Sequence, residues 1–250
     1  MELRICHLYP EHLNLYGDRG NVIALVKRCL WRGIDLSLTE IRLGEAPRFT
    51  EFDLIFMGGG QDREQWLIYG DLRRLKRAAL LEAAESGVVI LAICGGYQLF
   101  GHYYKGIAQT MDGLGLLDLW TEAGPKRMVG DIAVKVHLPE LDTVLVGYEN
   151  HAGRTYLGHG VKPLGRVLAG HGNNGRDGSE GAVYKNVFGS YLHGSLLPKN
   201  PAFVDYLFKL ALERKYGEGV YLPPLPDMLE EKAHRAVSYT HLTLPTNREV

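Results

Sequence analysis

The run VVILAIC, Val88–Cys94, is the most apolar stretch of the chain, and it stops at a thiol followed by Gly95 and Gly96. With no polar alternation, such a strand must be covered on both faces. A parallel sheet between helical layers supplies that cover. The neighbouring segments keep the same rhythm. Leu3–Tyr9 reads as a short buried strand, and NLYGDRGN (14–21) as a loop with turn chemistry. VIALVKRCLW (22–31) reads as a helix with Val22, Ile23, Leu25, Val26, Cys29 and Leu30 facing the core and Gly33 ending it. IDLSLTEI (34–41) alternates, as expected of a strand near a sheet edge, and FDLIFMGGG (52–60) is a buried strand ending in three glycines. DLRRLKRAALLEAAESG (71–87) is amphipathic, with Leu72, Leu75, Ala79, Leu80 and Ala83 inward and Gly87 just past its end. Strand, helix, strand, strand, helix, strand is the pattern of an α/β fold with a mainly parallel central sheet.

After residue 110 the pattern changes. MVGDIAVKVHL, TVLVGYENH, GRVLAGHG and GAVYKNVFGSYLHG are short strand candidates between Gly, Pro and Asn turns, expected to add an antiparallel extension to the sheet. NPAFVDYLFKLALERKYG (200–217) closes the core as a helix capped at Asn200 or the residue before it. These elements place a single domain over 1–215 and a C-terminal extension over 216–236. Residues 237–250, which resemble the translation of a sequencing-library adapter, are expected to be a non-native tail.

Composition narrows the function. The chain has 250 residues, 46% of them hydrophobic and 23% charged, and a formal net charge of -1, so nucleic acid is an unfavourable partner. No apolar run approaches the roughly 20 residues of a membrane span, and the N-terminus lacks a secretory apolar core. The expected location is cytoplasmic. Three cysteines at wide spacing form neither a disulfide framework nor a zinc pattern. Cys6, within a strand, and Cys29, on the apolar side of a helix, read as core residues.

Cys94 is different. Ligands of parallel sheets bind beyond the carboxyl ends of the strands. A strand–Cys–Gly–Gly–helix junction makes a sharp turn whose apex side chain is exposed, as in a nucleophile elbow. The positive end of the following helix favours the thiolate, the nucleophilic form. The bland alternative is a buried core cysteine. A base is needed, and of ten histidines His193 stands out: in VFGSYLHGSL an apolar strand again ends at a titratable side chain followed by glycine. His151 in YENHAGR is the competitor. The glycines of MGGGQD supply backbone N–H groups; Gly59 or Gly60, with Gly95, would make a two-donor oxyanion hole worth on the order of 3 kcal/mol per donor.

Together GGGQDREQ, AICGGYQLFG, GYENHAGRTYLG and GSYLHGSLLPKNP resemble the class I glutamine amidotransferases of the cobyric-acid-synthase-like type. The opening LYPEHLNLYGDRGN narrows the resemblance to the small glutaminase subunits of lipid II isoglutaminyl synthases, over about residues 1–215. The resemblance implies a three-layer, flavodoxin-like fold. It implies hydrolysis of L-glutamine through a thioester on Cys94, with His193 as acid and base and Gly59 and Gly95 as oxyanion donors. Ammonia would pass to a Mur-ligase-like (MurT-type) partner that amidates the D-glutamate of lipid II, a lipid-linked acceptor reached through the partner at the inner face of the membrane. No cofactor or metal is expected in this chain, and ATP and Mg belong to the partner. Gln98 matches a position near the substrate, and Arg127 matches an arginine that holds the α-carboxylate. Two alternatives remain: a cobyrinate-like acceptor, or a non-catalytic scaffold that binds a ligase. One departure stands out. Many relatives carry a glutamate two residues after the catalytic histidine, where this chain has Ser195. Either a dyad suffices or the orienting carboxylate comes from elsewhere, and a partner-supplied aspartate is the expected source.

Overall fold

The computed structural model describes residues 1–107 and 109–243. Its central sheet contains β1 (Glu2–Leu8), β2 (Asp35–Ile41), β3 (Leu54–Met57), β4 (Val89–Ile93), β11 (Ala182–Tyr184) and β12 (Val187–Ser190), in the order β11-β12-β4-β3-β1-β2. All pairings are parallel except β11 with β12. Every residue of β3 and β4 is buried, so both faces of the sheet centre are covered. At the edge, β2 is largely exposed, as its alternation predicts.

Helix α1 (Arg19–Trp31) buries Val22, Leu25 and Cys29, but Ile23 is 51% exposed and Leu30 57%. Those two lie one position round the helix from the buried stripe, which continues through Arg28 instead. Arg28 reaches inward because two carboxylates meet it: Asp205 at 2.8 and 2.9 Å and Asp227 at 2.6 and 2.8 Å. Asp205 lies on α6 (Pro201–Tyr216), while Asp227 ties the C-terminal extension to α1. The helix expected over 71–87 starts earlier, as α2 (Asp62–Asp71), and passes through a wide π turn at Leu72–Lys76 into α3 (Arg77–Glu85). The buried row runs Leu72, Lys76, Leu80, Ala83, leaving Leu75 43% exposed. Lys76 is tolerated inside because it pairs with Asp71 and lies 4.9 Å above the Tyr9 ring.

Downstream of the nucleophile turn comes α4 (Gly95–Phe100). An antiparallel addition to the central sheet exists as β11. β12 also joins the central sheet, and the strands between residues 102 and 181 instead build a second sheet: β5 (Tyr103–Lys105), β6 (Thr110–Asp112), β7 (Leu119–Leu138), β8 (Leu141–Leu157), β9 (Gly165–Ala169) and β10 (Ser179–Glu180). Its spine is the β7–β8 hairpin, longer than the short strands expected. The two strands are 20 and 17 residues long and pair almost throughout, which leaves no reason for either to join the central sheet. Their ladder shifts register between Ala123 and Met128, lifting Gly124–Arg127 out of it. Beyond β12 the chain forms the short α5 (Leu196–Lys199) before α6. Asn200 precedes α6, yet its side chain bonds Val146 and Leu196 rather than capping the helix. A last helix, α7 (Met228–Thr243), takes in residues 237–243 of the expected tail, and 244–250 lie outside the described residues. No described helix is long and apolar enough to cross a membrane.

Candidate active site

Four loops leave the carboxyl ends of β1, β3, β4 and β12 and converge. Cys94 follows β4 directly, in a conformation rare for a residue with a side chain, φ 49° and ψ −104°. Its N–H is fixed to Ser190 O at 2.8 Å, so the neighbouring strand holds the turn in place. Cys94 is 8% exposed and opens onto a cavity of about 450 Å³. Its turn has no room for side chains: a Cβ on Gly95 would lie 2.7 Å from Gly60 O and 2.9 Å from Gln65 Nε2.

His193 lies beside the thiol, fully buried. Its own backbone makes a bridge to Tyr148 on β8, at 2.7 Å for the N–H and 3.2 Å for the carbonyl, which joins the two sheets at this residue. Gly59 lies between the two, a Cβ on it coming within reach of His193 Cε1 on one side and Cys94 Cβ on the other. The imidazole Nδ1 is 3.8 Å from Asp18 Oδ1 in the loop after β1. Burial alone would lower its pKa, but the charges of Cys94 and Asp18 reverse this and raise it to about 10. His193 is therefore set as imidazolium.

His151, the competing base, lines the same cavity. It stacks on Tyr191 with 3.6 Å between ring centres and 5° between planes. Nδ1 is 2.9 Å from Gly153 O, and Nε2 is 3.7 Å from the buried Glu149. Burial outweighs Glu149 and lowers its pKa. The two histidines are thus pushed in opposite directions, and the charged one adjoins the sulfur.

The glycine loop requires a correction. Gly59 sits between Cys94 and His193, where a Cβ would meet His193 Cε1 at 2.9 Å, but its N–H donates to Asp18 Oδ2 at 2.6 Å. A donor held by a carboxylate is not aimed at an oxyanion. Gly60, one residue on, lines the cavity with Cys94.

Gln98 also lines the cavity. It accepts from Gln65 Nε2 at 3.0 Å and donates to Tyr191 OH at 3.1 Å, within a buried chain that continues to Thr155 and Thr121. Arg127 rises from the shifted segment of β7 onto the cavity wall. One edge of its guanidinium is held by the Asn150 side chain and carbonyl at 2.8 and 2.9 Å. Asp18 and Gln65 had not been singled out. Both lie inside quoted motifs, NLYGDRGN and GGGQDREQ, whose one acid-after-glycine and one distal glutamine were the available signals.

A cavity-facing sulfur with a buried imidazolium nearby, glycine backbone beside the sulfur and an arginine on the cavity wall suit acyl transfer from a small substrate carrying a carboxylate. Comparisons agree. Residues 4–201 match the family model of the CobB/CobQ-like glutamine amidotransferase domain. The chain is 47% identical over 217 residues to the glutamine-hydrolysing subunit GatD of lipid II isoglutaminyl synthase from Staphylococcus aureus (strain N315), covering 86% of each. With the same subunit of Streptococcus pneumoniae (strain ATCC BAA-255 / R6) it shares 39%, over 92% of this chain and 88% of that one. A cobyric acid synthase from Desulforamulus reducens is more distant, at 28% identity, and the match spans 46% of its length. The fold resembles that of a chain in the solved structure of PurLQS from Thermotoga maritima, with TM-score 0.59, 21% identity, and coverage of 85% of this chain and 99% of that one.

Proposed function

The chain belongs to the CobB/CobQ-like glutamine amidotransferase family, and from that premise we propose that it is the glutamine-hydrolysing subunit of a lipid II isoglutaminyl synthase. Cys94 on the cavity, with the buried His193 imidazole across Gly59 from it, is the observation that carries this reading. Cys94 thiolate attacks the side-chain amide carbon of L-glutamine. The developing oxyanion is met by the N–H groups of Gly60 and Gly95. His193 imidazolium gives its proton to the leaving nitrogen, and ammonia departs as the thioester forms. The now neutral imidazole takes a proton from water, whose hydroxide attacks the thioester. Collapse returns the thiolate and releases glutamate.

Arg127 suits the substrate α-carboxylate, since Asn150 fixes one edge of its planar fork and leaves the rest for a carboxylate. A charge-assisted hydrogen bond contributes about 1.5–3 kcal/mol, so Arg127→Ala should raise KM for glutamine by roughly 10- to 100-fold with a smaller effect on kcat. Steady-state glutaminase assays read that split. An unchanged KM would move the carboxylate site elsewhere.

The ammonia goes to a Mur-ligase-like partner of MurT type. ATP and Mg act there, on the D-glutamate carboxylate of lipid II, and the product is D-isoglutamine. Expression of the two chains together tests the reading. The complex should convert lipid II to the amidated form with glutamine and ATP, and release one glutamate per amide formed. No glutamate release from any mixture of the two chains would reject it in favour of a scaffold.

A further inference from the structure

We propose that Arg154, on β8, is a positioning residue for substrate recognition: it braces the irregular segment of β7 that carries Arg127, and so sets how tightly the cavity takes the α-carboxylate of glutamine. This rests on the glutaminase reading above and deepens it. Where β7 and β8 pair, Ala123 lies opposite Gly153 and Met128 opposite His151, so Gly124–Arg127 have only Ala152 across from them. A ladder cannot satisfy such a stretch, and Pro125 has no N–H to offer it. The segment nevertheless forms one wall of the cavity, with Gly124, Pro125, Lys126 and Arg127 all on it. Bonds other than those of the ladder must therefore hold it in place.

Two arginines supply them, one from each strand. The Arg127 side chain crosses from β7 to the Asn150 side chain and carbonyl, at 2.8 and 2.9 Å. Arg154 crosses the other way. Its Nη2 donates to Lys126 O at 2.8 Å, the carbonyl of the peptide that leads into Arg127. Its Nη1 donates to Ala152 O at 3.0 Å and Gly153 O at 3.3 Å. One planar guanidinium thus ties the lifted segment to the strand it has left, and the separate edges of the fork let it hold both at once. A lysine ammonium has no such fork. Gly124 makes room for the brace: a Cβ there would lie 2.8 Å from Arg154 Cζ and 2.9 Å from its Nε. Arg154 does not itself line the cavity, so its effect on substrate passes through Arg127.

The test uses the full chain with its ligase partner. It compares wild type, Arg154→Ala and Arg154→Lys on L-glutamine and on its α-methyl ester, which lacks the carboxylate charge. Loss of the brace should raise KM for glutamine roughly 5- to 30-fold with kcat within about threefold, because no group at the reacting amide has moved. Lysine should leave KM at least about threefold above wild type. KM for the ester, which gives the Arg127 fork no charge to hold, should change by less than about twofold. In a double-mutant cycle, Arg154→Ala should raise the KM of Arg127→Ala by less than about twofold, since the two residues act through one contact. A role in stability alone would lower kcat, raise KM for both substrates alike, or add its full effect to that of Arg127→Ala. Any of those results, or a wild-type KM for glutamine, overturns the proposal. If Arg154→Ala does not fold, Arg154→Lys decides by the same comparison. Calorimetric titration of glutamine into Cys94→Ala, with and without Arg154→Ala, repeats the measurement without turnover. An affinity that falls with Arg154 in a chain that hydrolyses no glutamine would reject the glutaminase reading and keep the brace. Hydrolysis with an affinity that ignores Arg154 would reject the brace and keep the reading.

Discussion

Replacing Cys94 with alanine is expected to abolish glutamine-dependent amidation and leave amidation from free ammonia intact. The nucleophile is the one group that forms a covalent bond to substrate. Its loss also removes the strongest influence that opposes burial at His193. Groups that act as a unit lose their joint effect when one is removed, so the fall in glutaminase kcat should be about 10⁴-fold or more. The fold should survive. Cys94 lies at the head of the cavity, its N–H bond to Ser190 is backbone, and alanine fills less space in the same turn. Two measurements check this. Glutamate release by the complex should vanish, while ammonium chloride, ATP and lipid II still yield amidated product. A glutamine-mimicking electrophile such as diazo-oxo-norleucine should label wild type at Cys94 and leave Cys94→Ala unlabelled. Labelling of the variant, or loss of ammonia-driven amidation as well, would place the chemistry or the structural role elsewhere.

The central half of this molecule was legible in its sequence because the constraints there are local. A six-residue apolar run, a cysteine and two glycines dictate a buried strand, a turn and a cavity-facing sulfur with no knowledge of the remaining chain. The strand before His193 repeats that pattern. What was not legible depends on distant neighbours. Nothing local to Ile23 and Leu30 shows that the inward stripe of α1 runs through Arg28 instead. That choice is made by Asp205 and Asp227, 177 and 199 residues away. The length of β7 and β8 was hidden by glycines and a proline, which read as turns but lie inside one long hairpin, Gly124 and Pro125 at its register shift. The choice between Gly59 and Gly60 turned on a carboxylate 41 residues upstream. Asp18 itself resembles any turn aspartate until the loop after β12 packs against it.

The glycine after the nucleophile offers a sharper test of the amide arrangement than either side chain. Gly95→Ala adds one methyl group where two of the three nearest atoms are backbone. The new carbon would meet Gly60 O at 2.7 Å, Gly60 N at 2.9 Å and Gln65 Nε2 at 2.9 Å. Relief requires the Gly60 peptide to move away from Cys94, and that peptide carries one of the two N–H groups assigned to the oxyanion. Loss of one such donor lowers kcat by about 10²–10³-fold. Overpacking should cost about 1–3 kcal/mol of stability, a loss that thermal melting would register without unfolding the protein at assay temperature. Gly33→Ala is the matched control. Gly33 sits at φ +64° with nothing within 4 Å of its would-be Cβ, so alanine there strains the backbone at the end of α1 and touches nothing in the cavity. Its melting temperature should fall by a similar amount, since alanine at positive φ also destabilises by about 1 kcal/mol or more, while kcat stays at the wild-type value. Equal kcat losses in the two variants would mean that activity follows stability alone. A Gly95→Ala enzyme with normal kcat would show that the Gly60 and Gly95 amides do not meet the oxyanion.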